Sequence, residues 1–109
     1  MHTTNWIKAG SLSELDDEVP LAVEVGGVPV VLVRDADKVH ALRDECTHAR
    51  VALSQGKVAD GEIECAAHGA CFNLRTGAPA AAPAVKPVDV YPVRIEGDDV
   101  FVDIDRMVS

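Results

Sequence analysis

Cys46-Thr47-His48 and Cys65-Ala66-Ala67-His68 are the stretches of this chain that can do inorganic chemistry. Each box offers one thiolate and one imidazole, and sixteen residues lie between the boxes. Together they use two of the three cysteines and two of the four histidines. A set of two Cys and two His can hold a [2Fe–2S] cluster, with the thiolates on one iron and the imidazoles on the other. Thiolates neutralise the iron that stays ferric, while neutral imidazoles raise the potential above that of all-Cys clusters. Such a centre moves single electrons.

Two other readings use the same residues. Tetrahedral zinc also takes Cys₂His₂ sets, commonly with like paired to like as C-x₂-C and H-x₃-H. Here each box mixes Cys with His, and a single residue separates the first pair. The third reading has no metal, only buried cysteines and unrelated histidines. The mixed boxes favour iron–sulfur chemistry.

The elements that must position these boxes read as β almost throughout. Leu21-Ala22-Val23-Glu24-Val25 alternates and ends at Gly26-Gly27, a hairpin signal, before the aliphatic run 29–33. Asp35-Ala36-Asp37 turns into Val39-His40-Ala41-Leu42. Near the other end, 91–95 and 100–104 flank Glu96-Gly97-Asp98-Asp99 as a further hairpin. Ser11 to Asp17 reads as a helical turn capped by Ser11 or Ser13. Between the β blocks, residues 44–90 hold both boxes, with Gly56, Gly61, Gly69 and Gly77 interrupting strand patterns. Gly77 to Pro92 carries four of the six prolines and should be an extended, stiff loop. Trp6, the sole tryptophan, is expected in the core.

Size and charge bound the function. The 109 residues suit one small domain whose core rests on aliphatic side chains, aromatics being 4%. A formal charge of −8 argues against nucleic acid, which needs Lys and Arg in excess, and for protein partners with basic patches. From Cys46 to Arg75 three acids face three bases, so the acidity belongs to the β scaffold. No stretch reads as a secretory signal or membrane span. Three cysteines cannot all pair internally, so a reducing cytoplasm is expected.

Cys46-Thr47-His48 with Cys65-Ala66-Ala67-His68-Gly69, then Phe72-Asn73-Leu74-Arg75-Thr76-Gly77, resembles the Rieske-type ferredoxins. The likeness covers nearly the whole chain, including Tyr91-Pro92-Val93-Arg94-Ile95-Glu96-Gly97, and is greatest to the ferredoxin components of aromatic-ring dioxygenases. It implies an all-β antiparallel fold over 1–109, a basal β-sandwich with an inserted cluster-binding subdomain at about 44–90. It implies one [2Fe–2S] cluster, Cys46 and Cys65 on the buried iron and His48 and His68 on the outer one. The role implied is that of a non-catalytic one-electron carrier, a monomer in the cytoplasm. It would pass electrons from a ferredoxin reductase to a terminal non-haem iron oxygenase. An accessory ferredoxin of iron–sulfur assembly is the alternative.

Departures from the respiratory branch are informative. Those relatives add a cysteine to each box, where this chain has Val51 and Ala67, and hydroxyl donors to sulfur, where it has Ala70 and Phe72. A low-potential centre is therefore expected. Cys71 is expected to be a passive thiol, His40 a surface residue and Arg50 an ordinary solvated side chain. Pro83 falls where relatives fold a loop over the cluster, and His2 is expected to be mobile.

Overall fold

A computed structural model describes residues 5–47, 51–67, 69–81 and 86–105. Its strands are β1 (Ile7–Ser11), β2 (Leu21–Val25), β3 (Val28–Asp35), β4 (Lys38–Arg43), β5 (Lys57–Ala59) and β6 (Glu62–Glu64), followed by β7 (Cys71–Asn73), β8 (Pro79–Ala81), β9 (Val90–Tyr91), β10 (Val93–Glu96) and β11 (Asp99–Val102). They form three antiparallel sheets, ordered β1-β11-β10, β2-β3-β4-β9 and β5-β6-β7-β8. The fold is all-β, as the sequence pattern predicts.

The middle sheet explains the aliphatic run. Val30, Val31, Leu32 and Val33 are all 0% exposed, so β3 is covered on both faces and loses the alternation of a half-solvated strand. Val30, Leu32 and Ala41 face one core with Tyr91, Val100 and Val102, which joins the middle sheet to β1-β11-β10. Val31, Val33 and Leu42 face a second core with Val58, Ile63, Phe72 and Leu74, which joins it to β5-β6-β7-β8. A full burial of each such aliphatic side chain stabilises by about 1.5–3 kcal/mol. The second core also contains Cys46 and Cys65.

Several boundaries differ from expectation. Residues 91–95 are not one strand, because Pro92 has no N–H to donate and breaks the ladder between β9 and β10. Tyr91 thus pairs with Ala41 in the middle sheet, while Val93 pairs with Val102 in the first. The turn after Ser11 is a single 3-10 turn over Leu12–Glu14, closed by the Ser11 N–H donating to Glu14 Oε1 at 3.0 Å. The segment 44–90 contains four three-residue strands where interrupted loops were expected. Trp6 is half-buried and lies outside both cores.

Candidate metal centre

Two loops of equal span start at the two motif cysteines. The Cys46 N–H donates to Val51 O at 2.9 Å, and the Cys65 N–H to Ala70 O at 2.6 Å. Each bond closes the chain five residues on. His48 falls within the first loop and His68 within the second, and both lie outside the described residues. So do His2, Arg50 and Pro83.

The cysteines are brought together. Cys46 is 3% exposed and Cys65 1%, neither is in a disulfide, and the Cys65 thiol lies against that of Cys46. Burial pushes the Cys65 thiol above its ordinary value; the Ala67 N–H opposes the shift and the Cys46 thiol reinforces it. That N–H reaches Cys65 Sγ at 3.4 Å, so the loop already offers a backbone donor to the sulfur. Two adjacent thiols in a dry core are poor as thiolates by themselves and fit a shared cation, which supplies the missing positive charge.

The loops are held differently. The second caps the β6–β7 hairpin, in which Glu64 pairs with Cys71 and Ile63 with Phe72. Among the described residues, the first has no strand partner beyond β4. Asp44 closes it, with Oδ1 accepting the Ser54 N–H and Oδ2 the Ser54 hydroxyl, each at 2.7 Å. The Thr47 hydroxyl donates to Lys86 O at 2.8 Å and so ties the first loop to the proline-rich segment. That segment is anchored in turn by Val88 N–H to Gly77 O and Arg43 N–H to Asp89 O, both 2.9 Å.

Two glycines are dictated by close approach. A Cβ on Gly56 would sit 1.7 Å from Glu64 O, and one on Gly77 would sit 2.1 Å from Val88 O. Gly77 also has φ +76°, a region that side chains disfavour.

Ala70 and Phe72 are both 0% exposed beside Cys65 in the second core and present no hydroxyl. Cys71 is half-buried on the outer face of the third sheet, in a groove with Lys57, Glu62 and Glu64. Burial and then Glu64 and Glu62 push its thiol up. His40 is half-buried rather than on the open surface, in a groove with Asp35, Lys38 and Arg75. Burial pulls it below the usual histidine range, with Asp35 opposing and Lys38 reinforcing. Sequence patterns pointed to neither Asp44 nor Ser54, because their bond spans ten residues and belongs to no periodic element.

Residues 5–92 match the model of the Rieske [2Fe-2S] domain. The chain belongs to that family. It is a Rieske protein with one [2Fe–2S] cluster, which sets aside the zinc and metal-free readings. Among its relatives is the anthranilate 1,2-dioxygenase ferredoxin subunit of Burkholderia cepacia, 38% identical over 91% of this chain and 92% of that one. The ferredoxin component of biphenyl 2,3-dioxygenase from Rhodococcus jostii is 40% identical over 82% of this chain and 83% of its own. Among solved structures, the ferredoxin of carbazole 1,9a-dioxygenase from Nocardioides aromaticivorans superposes with TM-score 0.88 at 39% identity, covering 91% of this chain and 97% of that one. A complex of reduced oxygenase and oxidised ferredoxin in carbazole 1,9a-dioxygenase contains a chain of the same TM-score at 31% identity, with 98% and 100% covered. No helix among the described residues of the Rieske protein is long and apolar enough to cross a membrane.

Proposed function

We propose that this Rieske protein is the ferredoxin of a dioxygenase system, a one-electron carrier with no substrate of its own. The carrying observation is the pair of buried, adjacent thiols at the mouths of two matched loops, in a chain whose relatives are ferredoxin components over nearly their full length. Cys46 and Cys65 hold one iron, and His48 and His68 hold the other. When bound, the cluster supplies a single-electron couple whose extra charge is spread over iron and sulfide. The chain's task is to keep that couple dry on its thiolate side. Val58, Ile63, Phe72 and Leu74 do so by packing around the two cysteines.

The electron enters from a ferredoxin reductase and leaves to a terminal oxygenase, through small and transient contacts. The formal charge of −8 steers the carrier towards basic patches on those partners. The protein works as a cytoplasmic monomer, with 1–109 forming one domain. Purified protein should be red-brown, with about two irons and two sulfides per chain and a low average g-value on reduction. It should also restore turnover to a dioxygenase system deprived of its own ferredoxin. A colourless protein with stoichiometric zinc ends the proposal, and so does a red-brown protein that transfers no electrons to any oxygenase tested.

A further inference from the structure

Asp44 and Ser54 belong to neither motif box, yet together they span the first ligand loop. Asp44 is 9% exposed, and its own N–H donates to Pro29 O at 3.0 Å, which fixes it to the start of strand β3. Its carboxylate takes both donors of Ser54 at 2.7 Å, short bonds of the charge-assisted kind. Leu53, next to Ser54, is 0% exposed and packs in the core that holds Cys46 and Cys65. Both ends of the loop are thereby locked to one body. Two residues of chain span at most about 7 Å, so the carboxylate is kept close to Cys46. Away from bulk water its charge is screened little.

We propose that Asp44 is a positioning residue that fixes the first ligand loop through Ser54, and that its carboxylate lowers the reduction potential of the cluster. This rests on Cys46 and Cys65 being ligands. Reduction makes the cluster more negative, so a fixed negative charge nearby favours the oxidised form. The two effects separate by substitution. In Asp44→Asn the amide oxygen still accepts the Ser54 N–H and the amide N–H₂ donates to the Ser54 hydroxyl, so the clasp persists without its charge. In Ser54→Ala the charge persists with one donor fewer.

The experiment uses the purified cluster-loaded protein, with voltammetry and the rate of iron release to EDTA as readouts. Asp44→Asn is expected to keep its iron and to show a higher midpoint potential. Ser54→Ala is expected to release iron several-fold faster, with Ser54→Thr restoring the slow rate and no rise in potential in either. An unchanged or lower potential in iron-loaded Asp44→Asn overturns the electrostatic part. If Asp44→Asn does not load, a raised potential in Ser54→Ala overturns the same part. Iron release from Ser54→Ala at the unaltered rate overturns the positioning part. Failure of these effects in a red-brown protein sinks the clasp alone, whereas an unaltered protein without [2Fe–2S] absorption overturns the ligand reading as well.

Discussion

The two motif loops have the same span and the same closing backbone bond, but they are built from different materials. The second loop is the tip of a hairpin. Its walls are the β6–β7 ladder, and its floor is Ile63 and Phe72, both 0% exposed. The first loop leaves β4 and meets no further strand until β5, so side chains hold it: Asp44 to Ser54 and Thr47 to Lys86. A hairpin tip tolerates many side chains, because its hydrogen bonds are main-chain. A loop tied by side chains has its stability concentrated in a few replaceable residues. The first loop should therefore fail by point substitution of polar residues, and the second by damage to backbone geometry or core.

The largest effect ought to erase the comparison. Cys46→Ala, His48→Ala, Cys65→Ala and His68→Ala should each abolish the [2Fe–2S] absorption and the reduced EPR signal, whichever loop is hit. A variant that retains a full reduced signal would remove that residue from the ligand set and show that the loops are unequal in chemistry as well as construction.

Next come the glycines that let loops approach one another. Gly77→Ala must place a Cβ 2.1 Å from Val88 O at φ +76°, so strain and a forced backbone shift act together. A loss of about 3 kcal/mol or more is expected, read as a fall in the unfolding midpoint. Gly61 is the control. It has φ +75° at the β5–β6 turn with nothing within 4 Å of a built Cβ, so Gly61→Ala should cost only about 1 kcal/mol. Equal losses at the two positions would mean that close packing of the proline-rich segment contributes little.

The sequence made the hairpins and the family's two motif boxes legible for different reasons. Gly26-Gly27 and Glu96-Gly97-Asp98-Asp99 are local turn chemistry between apolar runs, so the β2–β3 and β10–β11 hairpins form there, the second with strands at 93–96 and 99–102 in place of the expected 91–95 and 100–104. The boxes are legible because mixed Cys and His at fixed spacing serve few purposes. Strands β5 and β6 were hidden because Lys57-Val58-Ala59 and Glu62-Ile63-Glu64 are too short for alternation to register. Their strand character comes from pairing with each other and from Val58 and Ile63 reaching the core. β1 was hidden by Lys8 and Gly10, and it exists because β11 offers it an edge. Trp6 was placed in the core on hydrophobicity alone, and the chain leaves it half-buried before β1 begins. The clasp at Asp44 was invisible for the reason that makes it informative, since two polar residues ten apart carry no pattern.

A smaller effect probes the core of the second loop. Phe72 and Ala70 are buried in the same core as Cys65 and lack hydroxyls, so the potential should lie near the low end of the Rieske range, at about −150 mV. A hydrogen bond to sulfur strengthens as the cluster gains charge, so a new hydroxyl favours the reduced form. Such bonds to charged groups are worth roughly 1.5–3 kcal/mol. Only the difference between redox states counts, and about 59 mV corresponds to a tenfold change in a one-electron equilibrium. Phe72→Tyr and Ala70→Ser should each raise the potential by some tens of mV on this scale. No rise in either, with the hydroxyl bonded to sulfur, would leave charge and solvent exposure as the determinants and move attention to Asp44.

The smallest effect belongs to Cys71, which pairs with Glu64 just beyond the second loop. Its thiol points into a groove shared with Glu62 and Glu64, and its pKa is raised first by burial and then by those two carboxylates. A raised value means that the folded state holds the proton more firmly than the unfolded chain does. The stability linked to this proton is complete below the ordinary thiol pKa and is lost as pH climbs through the folded value. Alkylation of the cluster-loaded protein by iodoacetamide should therefore be slow at neutral pH and accelerate only above the ordinary thiol range. Glu64→Gln should move that profile back towards lower pH, and Glu62→Gln should move it less, following the order of their influence. Cys71→Ser should keep the iron content, the reduced EPR signal and the potential of the unaltered protein, because under the proposed assignment the four motif residues saturate two irons. Rapid alkylation at pH 7 would contradict the burial argument. Loss of the cluster in Cys71→Ser with the fold intact would make the second loop depend on a side chain, and the contrast between the two loops would fall with it.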